Sequence, residues 1–449
     1  MSGMPTSIRE TLSERGGLGG VKGLLMDSEI EKSAMRKIYL RLLPFAILSY
    51  ILAYIDRINV SFAGLTMRSD LDISAAGFGF ATGMFFWGYF IFEVPSNVIL
   101  EKVGARIWIA RILITWGILA GLMMIVRTPT SFYILRFLLG AAEAGFIPGI
   151  LLYLTYWYPA QKRGRVMAFF LTGIPISGVV GGPLSGWIMQ TFHGVNGWAG
   201  WQWLFLLEAL PAFLAGVVAL FYLTDDIHHA KWLSEEERRV LQNAVKEEAG
   251  KKEHHSMKDA FSEPKVWLLA VTYAFFLMGL YGVSFWLPSL IKASGVKDAL
   301  NVGLLTAIPY GAGTIAMIWV SHHSDDKRER RWHLSTPGIL GALGLALSTA
   351  FSHNTALSML FLTIGAAGVC TTVSQFWNLP GAFLGGAAAA AGIAFVNSVG
   401  NISGFVAPYM VGWIKDATGS ASPALWVIAA SMTIASLLVF RVPAQLVNK

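Results

Sequence analysis

The sequence predicts an all-α integral membrane protein of twelve transmembrane helices in two six-helix halves, and three observations carry that expectation. Of 449 residues, 55% are hydrophobic and only 14% charged, with a mean hydropathy of +0.56. A water-soluble fold could not hide that much apolar side chain. Apolar runs long enough to cross a hydrocarbon core about 30 Å thick recur along the whole chain. One long polar interruption, 224–264, divides them into two sets of six.

The segment 1–37 is polar and glycine-rich, with no apolar core before Ile38. No cleavable signal peptide is therefore expected, and the first span should direct insertion. Spans follow at 38–65, 76–100, 107–126, 132–157, 166–189 and 203–223, then at 266–290, 302–320, 334–351, 357–379, 387–414 and 425–440. The 47 glycines suit helices that pack closely or bend in a bilayer. Inside the interruption, Ser234 followed by Glu237 fits a capping box. Val240, Leu241, Ala244 and Val245 add a narrow apolar stripe, so a short surface helix is expected in this linker. Residues 442–449 are expected as a cytoplasmic tail.

The net charge of +7 could suggest a nucleic-acid partner, but the basic residues follow topology instead. Lys102 and Arg106, then Lys162, Arg163 and Arg165, then Lys327, Arg328, Arg330 and Arg331 fall in alternate short loops. By the positive-inside rule those loops are cytoplasmic, Arg68, Arg127, Lys292 and Lys297 being the main exceptions. An even number of spans then puts both termini in the cytoplasm of a bacterial inner membrane. The single cysteine, Cys370, excludes an internal disulfide and reads as a small core residue. The pairs His228-His229, His254-His255 and His322-His323 lack nearby cysteines and an i, i+4 partner, so they read as solvated loops. No GxxxxGK[ST], HExxH or GxSxG is present, which argues against ATP-driven pumping and hydrolase chemistry.

Four ionisable residues fall inside two of the spans: Asp56 and Arg57 in 38–65, Arg136 and Glu143 in 132–157. Each costs roughly 2.5–3.5 kcal/mol at the bilayer centre, so four left unpaired would cost on the order of 10–14 kcal/mol. They are expected to face one another, or water, inside a bundle. The choice is between ion pairs that lock helices and the lining of a path for substrate or proton. Arg136 and Glu143, two helical turns apart, share one face at depths roughly 10 Å different. Tyr54 and Arg57 share another. Arginine keeps its charge and offers a planar fork that suits carboxylates, whereas carboxylic acids in a low-dielectric cavity can carry protons.

The two halves carry similar punctuation. Glu101-Lys102-Val103-Gly104-Ala105-Arg106 follows the second span, and Ser324-Asp325-Asp326-Lys327-Arg328-Glu329-Arg330-Arg331 follows the eighth. An acidic residue before basic ones at corresponding loops suggests a repeated six-helix unit with a binding site where the repeats meet. The arrangement resembles the major facilitator superfamily, although Asn97 stands at the motif's leading glycine and Glu101 at its aspartate. Tyr54-Ile55-Asp56-Arg57-Ile58-Asn59, Phe92-Glu93-Val94-Pro95-Ser96-Asn97, the run from Arg136 to Phe146, Gly200-Trp201-Gln202-Trp203-Leu204-Phe205 and Gly412-Trp413-Ile414-Lys415-Asp416 narrow the likeness. Together, over 36–441, they resemble the anion:cation symporter family of that superfamily, which includes permeases for tartrate, 4-hydroxyphenylacetate, phthalate and sugar acids.

The resemblance implies the major facilitator fold, with pseudo-symmetric bundles over 38–223 and 265–441. It implies a secondary transporter that imports a small organic carboxylate with protons by alternating access. Its partners would be the organic anion, protons and the lipid bilayer, without cofactor, metal or nucleic acid, and one copy suffices for the fold. Positions matching the family's substrate cavity are Tyr54, Arg57, Tyr89, Arg136, Ser374, Trp377 and Asn397; Asp56 and Glu143 match its protonation sites. Helix packing is the competing reading for Tyr89, Ser374 and Trp377, and an interhelical hydrogen bond for Asn397. Glu101 with Arg106, and Asp325 with Arg328, are expected as a conformational latch. Ile174 stands where sugar-acid permeases can have a polar residue, which leaves room for a smaller or more aromatic acid. The competing class is a proton-driven exporter, because the run from Gly178 to Gly186 resembles the glycine-proline motif of drug antiporters, with Trp187 at its last glycine.

Overall fold

The computed structural model describes residues 18–158, 166–167, 170, 172–249, 263–383 and 388–448, and those residues form helices joined by short turns, with no strand among them. The first half holds α1 (Leu18–Asp70), α2 (Ala75–Val103), α3 (Ala105–Leu122), α4 (Pro129–Trp157), α5 (Gly173–Thr191) and α6 (Gly200–Tyr222). The second holds α7 (Pro264–Ala293), α8 (Ala299–Lys327), α9 (Arg331–Ala350), α10 (Thr355–Phe376), α11 (Ala388–Thr418) and α12 (Ser422–Leu438). Among the described residues, nine helices are long and apolar enough to cross a membrane; α5, α9 and α11 complete the set. The expectations for Lys162, Arg163, Arg165, His254 and His255 fall outside the described residues.

Small polar residues start the helices where the chain turns back. Ser74 accepts from Gly77 N at 3.0 Å, Asp298 from Asn301 N at 2.8 Å and Asn354 from Leu357 N at 3.1 Å. Each satisfies an amide that the first turn would otherwise orphan. The fourth span is not the continuous helix expected over 132–157. It runs as Pro129–Glu143 and Phe146–Trp157, broken where Gly145 takes φ +83. A side chain there would be strained, and its Cβ would lie 2.4 Å from Ser96 Oγ. His322 and His323 also differ from expectation: they occupy the last turns of α8 rather than a loop, and His323 Nδ1 lies 2.7 Å from His333 Nε2.

Helix pairing repeats with a shift of six. α2 packs on α4 and α11 as α8 packs on α10 and α5; α3 pairs with α6 as α9 does with α12; α1 lies on α5 and α6 as α7 lies on α11 and α12. The halves meet through α2 with α11, α5 with α8 and α1 with α7. Glycine allows the approach: a Cβ on Gly79 would lie 2.2 Å from Pro408 O, and one on Gly186 2.4 Å from Ala299 O. Two side chains then reach across to cap a helix in the other half. Asp416, at the end of α11, accepts from Ala75 N at 2.9 Å and Ala76 N at 2.6 Å at the start of α2. Gln190, at the end of α5, accepts from Leu300 N at 3.0 Å at the start of α8. These contacts close the face where α2 and α8 begin and α5 and α11 end.

The polar interruption holds a helix at Glu235–Ala249. Ser234 N donates to Glu237 Oε2 at 2.9 Å while Glu237 N donates to Ser234 Oγ at 3.1 Å, a reciprocal capping box. Ser33 Oγ at 2.9 Å and Lys37 Nζ at 2.8 Å donate to the same carboxylate and tie the linker helix to α1. Burial opposes ionisation of Glu237. The Lys37 ammonium, the Ser234 amide and the Ser33 hydroxyl outweigh it, holding the carboxyl below its ordinary range.

Candidate functional site

Midway along the first half, α2 and α4 pack closely beside the charged residues of α1 and α4. A Cβ on Gly88 of α2 would lie 2.1 Å from Phe137 O, and one on Gly140 of α4 1.9 Å from Phe85 O. The two helices therefore touch backbone to backbone, and their larger residues flank the contact. Phe85 comes between two guanidiniums: Arg57 of α1 and Arg136 of α4 each place Cζ 5.1 Å from its ring centroid. Tyr89, one turn along α2, lies 5.5 Å from the Arg57 Cζ. All three contacts are within cation–π reach.

The ionic pairing crosses helices instead of following them. Arg57 donates through Nη2 to Glu143 Oε1, and the other Glu143 oxygen has no hydrogen-bond partner among the described residues. The sequence placed Arg136 and Glu143 on one helical face, two turns apart. The structure leaves Arg136 Nε, Nη1 and Nη2 without a hydrogen-bond partner among the described residues, on a side chain that is 0% exposed. Asp56 accepts from Trp116 Nε1 of α3 at 2.7 Å and from Asn59 Nδ2 at 3.4 Å, the latter a long contact. It does not bond the adjacent Arg57.

The second half supplies aromatic and amide groups. Phe86, next in sequence to Phe85, meets Tyr281 of α7 at a centroid distance of 4.6 Å and Phe285 at 6.0 Å. Tyr281 donates to Asn401 Oδ1 of α11 at 3.0 Å. Trp377, at the end of α10, lies edge-on to Tyr273 at 4.9 Å, and Tyr273 also crowds Gly400 of α11. Ser374 and Asn397 are half-buried. Tyr54 is buried on α1, and Tyr310 of α8 donates to Ser284 of α7 at 3.2 Å. The structure thus brings Arg57, Glu143, Tyr89 and Arg136 into one cluster, with Asp56 beside it. Trp377 joins a separate aromatic group on α7 and α10, with Tyr273 and Phe376.

The predicted latch residues sit away from this cluster. Glu101 is exposed near the end of α2. Arg106 N donates to Asp225 Oδ1 at 2.8 Å, and Arg106 Nε stands 3.7 Å from the other Asp225 oxygen. Asp325 pairs with Arg330, whereas Arg328 closes α8 in a left-handed conformation, φ +49. Sequence reasoning missed Phe85, Trp116, Tyr281, Asn401 and Glu208. Glu208, an acid within the apolar span 203–223, was findable by the same rule that singled out Glu143.

A family model described as Major Facilitator Superfamily matches residues 46–408. A Pseudomonas putida protein provisionally named metabolite transport protein NicT is 48% identical over 420 residues, covering 93% of this chain and 96% of that one. An Agrobacterium vitis protein provisionally named a tartrate transporter is 48% identical over 415 residues, covering 92% and 95%. A quinolone resistance transporter of Acinetobacter baumannii is 40% identical over 421 residues, covering 93% and 96%. A solved bacterial homologue of the human lysosomal transporter Spinster, in an inward-facing and occupied conformation, aligns with a TM-score of 0.72 at 14% identity, over 90% of this chain and 97% of that one. At that identity the likeness speaks to the fold.

Proposed function

The chain belongs to the major facilitator superfamily and is a multi-pass membrane transporter, not an enzyme; on that premise we propose that it imports a small organic carboxylate together with protons. The observation that carries the reading is Arg136, a buried guanidinium whose three nitrogens have no hydrogen-bond partner among the described residues. A buried cation without a partner is costly, and an incoming carboxylate repays the cost by taking its planar fork. Arg57, already committed to Glu143, is the second cation, and Tyr54 and Tyr89 shape the first-half side of the cavity. Ser374, Trp377 and Asn397 complete it from the second half.

The coupling follows from the same pairings. When the anion takes Arg136, the carboxyls nearby lose electrostatic support and gain a proton, with Glu143 and Asp56 as the proton carriers. Both termini are cytoplasmic in this reading, so the face closed by Asp416 and Gln190 is periplasmic. Glu101, Arg106, Asp325 and Arg328 act at the other face when it closes. Proteoliposome uptake of tartrate, 4-hydroxyphenylacetate, phthalate and aldonate acids tests the proposal. Accumulation of one acid only under an imposed pH difference is expected. The quinolone resistance relative favours a second reading, a drug exporter. Drug resistance in cells that express the protein, with no acid accumulated by vesicles, would replace the first reading with the second. The glycine run of α5 does not weigh for export, because its packing against α8 accounts for it: Gly178 meets Tyr310, Gly182 meets Gly303 and Gly186 meets Ala299.

A further inference from the structure

Glu208 of α6 is 4% exposed, and neither the substrate reading nor the closed face uses it. Ser185 Oγ of α5 donates to its Oε1 at 2.7 Å, while Oε2 has no hydrogen-bond partner among the described residues. α3, α1 and α5 pack on α6, as does the turn Met123–Ile125 that follows α3. The polar groups they turn toward Glu208 are Ser185 from α5 and, from α1, Asn59 and Asp56; Trp116 of α3 is bonded to Asp56. No cation is among them. Asn59 therefore stands between two carboxyls, with one amide group available to donate to either.

The charge count of the buried core points the same way. Among the described membrane helices, the buried charged side chains are Asp56, Arg57, Arg136, Glu143 and Glu208. Two guanidiniums face three carboxyls, so full ionisation would bury one uncompensated negative charge, which a low-dielectric interior penalises heavily. One proton removes it. Arg57 and Glu143 already neutralise each other through a direct bond. The remaining proton then belongs to Asp56 and Glu208, whose combined single negative charge balances Arg136.

We propose that Glu208 is a proton-carrying group of the transport cycle, sharing one proton with Asp56 across Asn59. In the exchange step the proton leaves Glu208 Oε2 for an Asp56 oxygen. Glu208 becomes the carboxylate, held by Ser185 and Asn59, and Asp56 becomes the acid; the total charge is unchanged. An anion arriving at Arg136 restores a net negative charge to the core, and the pair then takes up a second proton. Two carboxyls coupled through one shared donor titrate as a unit. This inference rests on the proposed anion import for its role in the cycle, but not for the existence of the shared proton.

Infrared spectroscopy of the substrate-free protein in lipid, read in the carboxylic-acid C=O stretching region, tests it without a substrate. Wild type should show one protonated buried carboxyl. Glu208→Gln and Asp56→Asn should each erase that band, because either change leaves the core neutral with the surviving carboxyl ionised. Ser185→Ala should shift the band without removing it, which protects the test against misfolding of the first two variants. A band that survives Asp56→Asn would make Glu208 an isolated structural acid, and a band that survives Glu208→Gln would remove it from the chemistry; either overturns the proposal. With whichever panel acid is transported, proton uptake on anion binding should persist in each single variant and fall in the double variant to what Glu143 alone takes up; undiminished uptake in the double variant would remove the pair from the cycle. If no acid is transported while the band behaves as stated, the import reading fails and the shared proton stands.

Discussion

Removing the Asp416 carboxylate should open the face that α2 and α11 close. The group is exposed, so its two bonds to Ala75 N and Ala76 N, at 2.9 and 2.6 Å, count for less than buried charge-assisted bonds would. A lost helix cap costs about 0.5–2 kcal/mol, and the carboxylate's interaction with the positive end of the α2 dipole about 0.3–1 kcal/mol. A central value near 1.5 kcal/mol corresponds to roughly a tenfold change in the ratio of the two conformations. Asp416→Ala should produce that shift toward opening, and Asp416→Asn, which keeps an acceptor, roughly half of it in free energy. Spin labels at the start of α2 and the end of α11, on a Cys370→Ser background, report the distance distribution directly. Cys370 only fills space beside Gly313, so that background is neutral. A distribution in Asp416→Ala that matches wild type would refute the clasp. Gln190→Ala should act in the same direction more weakly, since an amide offers no charge to the α8 dipole.

Arg136→Ala should abolish binding of the transported acid, and Arg136→Lys should restore it only in part because lysine lacks the planar fork; calorimetry with unchanged affinity in the alanine variant would return Arg136 to a structural role. Glu143→Gln should leave exchange across the membrane but eliminate uphill uptake driven by a pH gradient, measured in proteoliposomes. Gly186→Val should prevent the face where α5 ends and α8 begins from closing, since even a Cβ there would lie 2.4 Å from Ala299 O; spin labels on α5 and α8 would show the parted state. The depressed Glu237 carboxyl stabilises the linker helix at neutral pH, above its unfolded value, and that support is lost as pH falls through the lower folded value. Hydrogen exchange in Glu235–Ala249, corrected for intrinsic rate, should rise about tenfold or more in Glu237→Ala at pH 7, and the gap to wild type should shrink in acid.

The membrane fold was legible because hydropathy and loop charge are properties of consecutive residues. The capping box at Ser234 and Glu237 was legible for the same reason: it needs only three residues of spacing. Contacts set by tertiary approach were not. Arg57 and Glu143 are 86 positions apart, and nothing in either span says that Glu143 turns from Arg136 to a neighbouring helix. The break at Gly145 decided that, by ending the first part of α4 directly after Glu143. Asp416 read only as part of a loop motif; its bond to α2, 340 positions away from Ala76, exists only once the halves have docked. Glu208 was a different kind of omission, since the cost of an acid in an apolar span applied to it as fully as to Glu143.

The position of α2 explains how the site and the closed face can act together. Consecutive residues on this helix face different halves: Phe85 packs against the Arg57 and Arg136 guanidiniums, and Phe86 against Tyr281 and Phe285. One turn toward the closed face, Gly83 meets Phe405 of α11, and beyond it Gly79 meets Pro408. An anion that draws Arg136 off Phe85 therefore disturbs the same rigid helix whose first turn Asp416 caps. Because α2 touches α4 and α11 through glycine, with no flexible side chain between the backbones to absorb a shift, movement at one contact is passed to the other. That transmission needs two arrangements of α2 against α11, and the single clasp at Asp416, worth about one decade in population, is weak enough for substrate binding to reverse.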